Sequence, residues 1–350
     1  MSVPSLTREP TRHLGLDLGG TNLKWAVVER DGADWRTLDT GQGPSHTQAG
    51  PEAVVHRLGE VGGDAMARWP GVVSAGVGVP GLYDPVAGTT RFLVNVPGAW
   101  AGRPVAGPVS AALGVPAFLV NDARAFGLAE LRLGAARGAS SMVGLTLGTG
   151  VGGVIAVNGR VHQGHDGAAG EVGHQTIDPD GPWCNCGNRG CLEAYARADQ
   201  LAAACGTATA EEAVQRARAG DARALDGLAQ VGRYLGIGIA NLITIISPDR
   251  VVIGGGVAAA GDLLFEPIRA ELRRRVNMTS LEPVTLVAAE LGIWAGSIGA
   301  AVHGAERASE TEAGRATGGA AENGAEQGAA DRRAAADRAV QVSVQAAGPG

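Results

Sequence analysis

The chain has 350 residues, 45% of them apolar, and 29 basic against 35 acidic side chains, for a formal charge of −6. That length buries one large or two medium cores, and the acidic balance excludes a long-range positive field for nucleic acid or an anionic membrane surface. Glycine is the outlier at 56 residues, far above the roughly 7% of ordinary proteins, while glycine and proline together stay below the level of unstructured chains, so the glycines work inside a fold.

Met1 to His13 has no apolar signal-peptide core, so residues 1–11 are expected as the flexible start of a cytoplasmic protein. Leu14 to Val28 reads as a β-hairpin, two β-rich runs around Gly19-Gly20, closed by Asp31-Gly32. Val72–Val79 and Ala117–Val120 are buried-strand candidates, and Ala123–Leu133 is a helix with Asn121-Asp122 at its start. Val143 to Val157 then repeats the first hairpin without gaps, matching Gly15 to Gly144, Leu16 to Leu145, Leu18 to Leu147 and Gly19 to Gly148, and closes on Asn158-Gly159. Two copies imply two related α/β domains, each opening with the same hairpin.

Further on, Ala210–Ala219, Asp221–Leu235, Phe265–Val276 and Ala295–His303 are expected helices, and Arg250–Ile253 a strand that ends in Gly254-Gly255-Gly256. The nearly apolar run Tyr234–Ile246 is too short and glycine-broken to span a bilayer. These signals place a first domain at residues 12–121 and a second at 122–303, with the last helix returning to the first. From Gly304 to Gly350 almost no large apolar residue occurs, which predicts a disordered tail.

Paired glycine hairpins invite a phosphate reading, because backbone N–H groups without Cβ atoms approach a polyanion closely. Asp17-Leu-Gly-Gly-Thr-Asn22 adds a carboxylate for Mg²⁺ and the Thr21 hydroxyl; Gly148-Thr149-Gly150, with Gly152 and Gly153, supplies a second set of amides. Gly19, Gly20, Asn22, Lys24 and the Gly254-Gly255-Gly256 turn join the expected triphosphate contacts. No G-x-x-x-x-G-K-[ST] occurs, which excludes a P-loop enzyme.

His174 is followed by Cys184-Asn-Cys186-Gly-Asn-Arg-Gly-Cys191. Three thiolates and an imidazole form a closed tetrahedral set for structural Zn²⁺, and Cys184 and Cys186 are too close in sequence for an ordinary disulfide. Glu171 and Glu193 flank this loop, so a metal staple there preorganises acceptors for a polyhydroxyl ligand. His162 and His165 are read as plain surface residues.

Asp17-Leu-Gly-Gly-Thr21, Asn121-Asp122, Gly148-Thr-Gly-Val-Gly-Gly153 and Glu171-Val-Gly-His174, followed by Cys184-x-Cys-Gly-x-x-Gly-Cys-x-Glu193, resemble the ROK family of bacterial sugar kinases and repressors, from about Gly15 to Gly299. The resemblance implies an actin-like ATPase fold, two duplicated ribonuclease-H-like domains with the site in the cleft between them. It implies Asp122 as catalytic base, Zn²⁺ on His174, Cys184, Cys186 and Cys191, and sugar contacts from Asn95, Asn121, Asp122, Glu171, His174 and Glu193. Val154 stands where the family often has another glycine, which would stiffen the second phosphate loop. Asn95-Val-Pro-Gly-Ala-Trp100 carries one residue more than the family's sugar segment. Asp122, after a buried strand, also suits both proton acceptance and a helix N-cap.

The expectation is therefore an ATP and Mg²⁺-dependent kinase of a hexose 6-hydroxyl, glucose first, with a C7-cyclitol as the alternative acceptor. N-acetylmannosamine, mannose, allose or fructose, and polyphosphate as donor, stay open. A repressor needs a DNA-binding segment ahead of the first hairpin, where only sixteen residues precede Asp17, and a non-catalytic sensor is expected to lack the aspartate. Partners are a small-molecule sugar or cyclitol and a second or further copy of the chain (homodimer or homotetramer), without nucleic acid or membrane.

Overall fold

The computed structural model describes residues 9–165 and 167–317. In chain order, its first half holds β1 (Thr11–Leu18), β2 (Asn22–Asp31), β3 (Asp34–Pro44), α1 (Pro51–Arg68), β4 (Val72–Val79), β5 (Gly81–Asp84), β6 (Thr89–Leu93), β7 (Arg103–Pro104), α2 (Ala106–Leu113) and β8 (Ala117–Asn121). There follow α3 (Asp122–Arg132), β9 (Met142–Leu147), β10 (Val151–Val157), β11 (Arg160–Val161), α4 (Glu193–Ala196), α5 (Ala198–Cys205), α6 (Ala210–Arg218), α7 (Ala222–Ile246), β12 (Arg250–Gly254), α8 (Asp262–Arg275), β13 (Thr285–Ala288) and α9 (Ala295–Thr317). Described residues through Ala305 form one compact unit, and those from Glu306 to Thr317 belong to a second.

The internal repeat in the sequence is a repeat in topology. One sheet runs β3-β2-β1-β4-β8 and the other β11-β10-β9-β12-β13. In both, a hairpin pairs antiparallel (β1 with β2, β9 with β10) and its first strand continues the sheet in parallel (β1 with β4, β9 with β12). Each sheet has its own core: Leu14, Leu16, Val27, Leu58 and Val77 in the first, Val143, Leu145, Leu228, Ile239 and Val251 in the second. A third cluster spans both, with Ala26 and Val28 meeting Phe126, Met142, Val154 and Ile298. A small sheet, β5-β6-β7, is inserted after β4.

The two α-helices that join the halves lie unusually close to their neighbours. A Cβ on Gly15 of β1 would overlap the Ser297 carbonyl oxygen of α9, and one on Gly76 of β4 the Ala300 carbonyl oxygen. So α9 lies against β1 and β4 of the first sheet, on a track that glycine leaves open. It also continues past Gly304 to Thr317, so the expected start of the tail falls inside a helix; the alanine-rich sequence there keeps high helix propensity. Residues 318–350 and 1–8 lie outside the described residues.

Helix α7 corrects another expectation. Gly232, Gly236 and Gly238 do not break it. They let α7 sit directly on its neighbours: a Cβ on Gly232 would lie 2.7 Å from Pro267 of α8, and one on Gly236 2.6 Å from Glu271. The 25-residue helix is long and apolar enough by composition to cross a membrane, but Leu228, Val231, Leu235, Ile239 and Ile243 face the second core. Packing, not propensity, carries it through the glycines.

Two substitutions test this packing by urea or thermal unfolding. Gly76→Ala, which drives a methyl into α9, should cost about 1–3 kcal/mol or more. Gly63→Ala, on the exposed face of α1 with nothing near its Cβ position, should instead add up to about 1 kcal/mol. Equal effects would contradict the close approach of α9.

Candidate active site

Parallel strands gather ligands at their carboxyl ends, and both hairpins turn there. The first turn is closed by the Gly19 N–H donating to the Asn22 carbonyl at 3.0 Å, with Gly20, Thr21 and Asn22 exposed. Its outer side is braced by residues the sequence reading passed over: the Ser45 and Thr47 hydroxyls donate to the Gly20 carbonyl at 3.2 and 2.7 Å. A Cβ at Gly20 would lie 3.0 Å from the Asn95 carbonyl oxygen, a tight contact. Asn95 takes a left-handed φ of 60° and stands exposed beside this turn. Lys24 faces Asp17 across the ladder, 3.8 Å from its carboxylate, as its counter-ion.

The second turn, Gly148-Thr149-Gly150, is pinned by the Gly148 N–H to the Gly150 carbonyl at 2.9 Å. Gly152 and Gly153, expected among the phosphate contacts, lie inside β10 instead. Their missing side chains admit Ala123 of α3 and the Gly170–Val172 segment. Val154 is likewise a strand residue, fully buried, and fills the space left by Gly127 and Gly144; it packs β10 on α3 and leaves the turn alone. Gly255, with φ 86°, lies against Leu147, which brings the glycine turn after β12 beside the second hairpin.

Asp122 opens α3. The helix cap is its neighbour: the Asn121 side chain accepts from the Arg124 N–H at 3.1 Å and donates to the Gly81 carbonyl at 3.2 Å. Asn121, expected at the sugar, is thus largely engaged with backbone, and that frees Asp122 from capping duty. The Asp122 carboxylate accepts from the Ala123 N–H at 2.8 Å and, more weakly, from its own backbone N–H. Burial, then the Asp17 charge and, less strongly, Glu171, push its pKa up to about 7 against the pull of that N–H. Burial also raises Asp17, which Lys24 opposes. Asp17 further touches the start of α9, where only the absence of a side chain at Gly296 makes room for its carboxylate. Two acidic groups raised together suit a divalent cation bound with the nucleotide.

Glu171 sits on the loop after β11, exposed, with its Oε1 3.7 Å from Nη2 of the buried Arg124. Arg124 was not anticipated, although an arginine among Ala123, Ala125 and Phe126 on a buried helix face is a legible signal. Its Nε and Nη2 both donate to the Ala169 carbonyl, at 3.1 and 2.9 Å.

His174, Cys184, Cys186 and Cys191 bring their four ligand atoms within 4.8 Å of one another. His174 Nδ1 lies 3.6 Å from Cys184 Sγ, and Cys186 Sγ 3.6 Å from Cys191 Sγ, close to the roughly 3.8 Å between thiolates of a tetrahedral zinc site. Burial and the neighbouring thiols push Cys191 up to about 12 and raise Cys184; a cation is the group that lets such thiols ionise together. The residues fit zinc. Turning Nδ1 inward leaves His174 Nε2 to face outward. Glu193 joins this centre to the second turn: the Cys184 thiol donates to Oε1 at 3.8 Å, and Oε2 accepts from the Val151 N–H at 2.9 Å. The same carboxylate is what requires glycine at position 150.

Two glycine turns, a half-buried aspartate of raised pKa and a Cys₃His loop make a site suited to phosphoryl transfer. The ROK family pattern matches residues 13–305, and the chain belongs to that family. It is 35% identical over 311 residues to a glucokinase of Thermotoga maritima, covering 82% of this chain and 95% of that protein. In structure it is similar to the ROK hexokinase of Thermus thermophilus, at 37% identity and TM-score 0.74 over 85% of this chain and 100% of the other. A ROK glucokinase from Streptomyces griseus in complex with glucose and AMPPNP is 30% identical, at TM-score 0.71 over 84% of this chain and 99% of that one. The fold is the actin-like ATPase fold of these sugar kinases.

Elemental analysis of protein purified without chelator should find about one zinc per chain, lost in Cys186→Ser. Because Glu193 reaches both the cluster and Val151, that variant should weaken sugar binding and raise the KM for ATP together. Active protein without zinc would contradict the assignment.

Proposed function

We propose that this ROK protein is an ATP-dependent sugar kinase that phosphorylates the 6-hydroxyl of glucose, with Asp122 as general base. One observation carries the mechanism: the Asp122 carboxylate stands at the head of α3 beside the Asp17 and Glu171 charges, bonded only to backbone N–H groups among the described residues, with its pKa raised to about 7. A base of that pKa is ionised enough at neutral pH to accept a proton and basic enough to hold it. Its carboxylate takes the proton of the 6-hydroxyl as O6 forms its bond to the γ-phosphorus and the bond from that phosphorus to the β,γ-bridging oxygen breaks. ADP then carries the leaving oxygen.

The other residues position and balance charge. Glu171, His174 through Nε2, Asn95 and Asn121 line the acceptor side, and Glu193 holds the edge between acceptor and donor. Backbone N–H groups of Gly19–Asn22 and Gly148–Gly150, with Gly255 and Gly256, receive the phosphates. Mg²⁺ held near Asp17 would offset charge on the β- and γ-phosphoryl oxygens. Zn²⁺ on His174, Cys184, Cys186 and Cys191 would fix the loop that carries Glu193. The division into a first lobe at residues 12–121 and a second at 122–303 puts Asp17 and Asn95 on one side and Glu171 on the other. Glucose is the acceptor named for the Thermotoga and Streptomyces relatives, which is why it leads.

An acceptor panel with Mg-ATP, set against polyphosphate as donor, tests the substrate: glucose, mannose, fructose, allose, N-acetylmannosamine and a C7-cyclitol. Glucose should show the highest kcat/KM; a faster cyclitol would move the chain to the alternative acceptor class. Asp122→Asn should lower kcat by about two to four orders of magnitude with glucose binding nearly unchanged. In wild type, kcat/KM should fall about tenfold per pH unit below about pH 7, since protonated Asp122 cannot accept the hydroxyl proton. Near-normal turnover of the folded Asn variant would remove Asp122 from the chemistry.

A further inference from the structure

Arg124 is among the largest fully buried side chains of the protein, at 1% exposure, two residues beyond Asp122 on the first turn of α3. A buried guanidinium is ordinarily supplied with acceptors on all its edges. Here one edge is complete, Nε and Nη2 on the Ala169 carbonyl. The opposite nitrogen, Nη1, is buried and has no hydrogen-bond partner among the described residues. Nη2 stands 3.7 Å from Glu171 Oε1, attracted but too far for a hydrogen bond. The half-satisfied edge, Nη1 with Nη2, has the spacing of a carboxylate, and the nearest carboxylate among the described residues is Glu171, whose side chain is 45% exposed.

On the reading of the chain as a sugar kinase, we propose that Arg124 is a positioning residue for the acceptor: when sugar binds, Glu171 closes onto the Nη1–Nη2 edge as a bidentate pair. Two of the carboxylate's acceptor sites are then held by the buried guanidinium, and the remaining ones face the sugar hydroxyls in a fixed direction. The clamp on Ala169 sets the height of the loop, and the pairing sets the direction of its glutamate. Lysine in this place keeps the charge but loses the fork.

The test measures acceptor affinity without nucleotide, by tryptophan fluorescence, in wild type, Arg124→Lys, Glu171→Gln and the double variant. The probe is glucose, or whichever acceptor wild type uses best in the panel, so that failure of glucose falls on the substrate reading and not on Arg124. Arg124→Lys should weaken binding about tenfold or more and leave kcat and the KM for ATP within about twofold. In the Glu171→Gln background the same change should cost clearly less than in wild type, since only the clamp on Ala169 is then lost. Wild-type affinity in Arg124→Lys, or losses that simply multiply in the double variant, would show that Arg124 only fastens the loop. A crystal structure of wild type with acceptor reads the same point without a variant: both Nη atoms within about 3.2 Å of Glu171 supports the pairing, and Glu171 still beyond hydrogen-bond reach overturns it.

Discussion

Three carboxylates, two half-buried and one at the exposed rim, stand close enough to feel one another's charge, and the site is organised around keeping them there. Asp17 ends β1, Asp122 follows β8, and Glu171 comes from the loop after β11. Burial raises the Asp122 pKa most, and the Asp17 charge, then Glu171, add to it, so that it reaches about 7. Like charges held this way move apart unless the scaffold resists. The resistance is visible in the packing: α9 lies against Gly15 and Gly76, Gly296 admits the Asp17 carboxylate, and Gly299 admits α3. Positive charge is rationed beside them, Lys24 for Asp17 and Arg124 for Glu171, while Asp122 has neither. The group without a counter-ion is the one suited to take up a proton.

The metal loop and the second glycine turn form one mechanical piece. Glu193 accepts from the Val151 N–H at one oxygen and follows Cys191 by two residues, its other oxygen 3.8 Å from Cys184 Sγ, so the metal loop carries the carboxylate that holds the phosphate turn. Asn188 supports the cluster from outside, donating to Thr176 and to Cys191. Gly190, with φ 66°, lets the loop cross directly over the Asp178 carbonyl. A structural metal here therefore bears on both substrates, beyond the acceptor contacts that its neighbouring glutamates suggest from sequence.

Much of this was legible before any coordinates. The two hairpins declared a duplication that the strand orders repeat, and the four metal ligands fall within one short stretch, where spacing alone constrains geometry. Val72–Val79 matched its strand at both ends. What the sequence concealed was long-range. β3 is a polar edge strand without clear alternation, and α1 carries Gly59, Gly62 and Gly63, so local propensity argued against both. Helix α7 outran its expected end because α8 accepts its glycines. Gly20 and Gly150 read as phosphate glycines, but Asn95 and Glu193 fill the space their side chains would take. Arg124 escaped notice because nothing local says whether an arginine after Asn-Asp points to water or inward.

The central claim is that Asp122 is a base tuned by its neighbours, and its own titration is the most direct test. Carbon-13 NMR of the aspartate carboxyls, with Asp122 assigned by difference against Asp122→Asn, should show it titrating near pH 7. In Asp17→Asn, which removes the stronger of its two neighbouring charges, the titration should move to lower pH. A carboxyl titrating near 4 in wild type, the ordinary aspartate range, and unmoved by Asp17→Asn, would contradict the account.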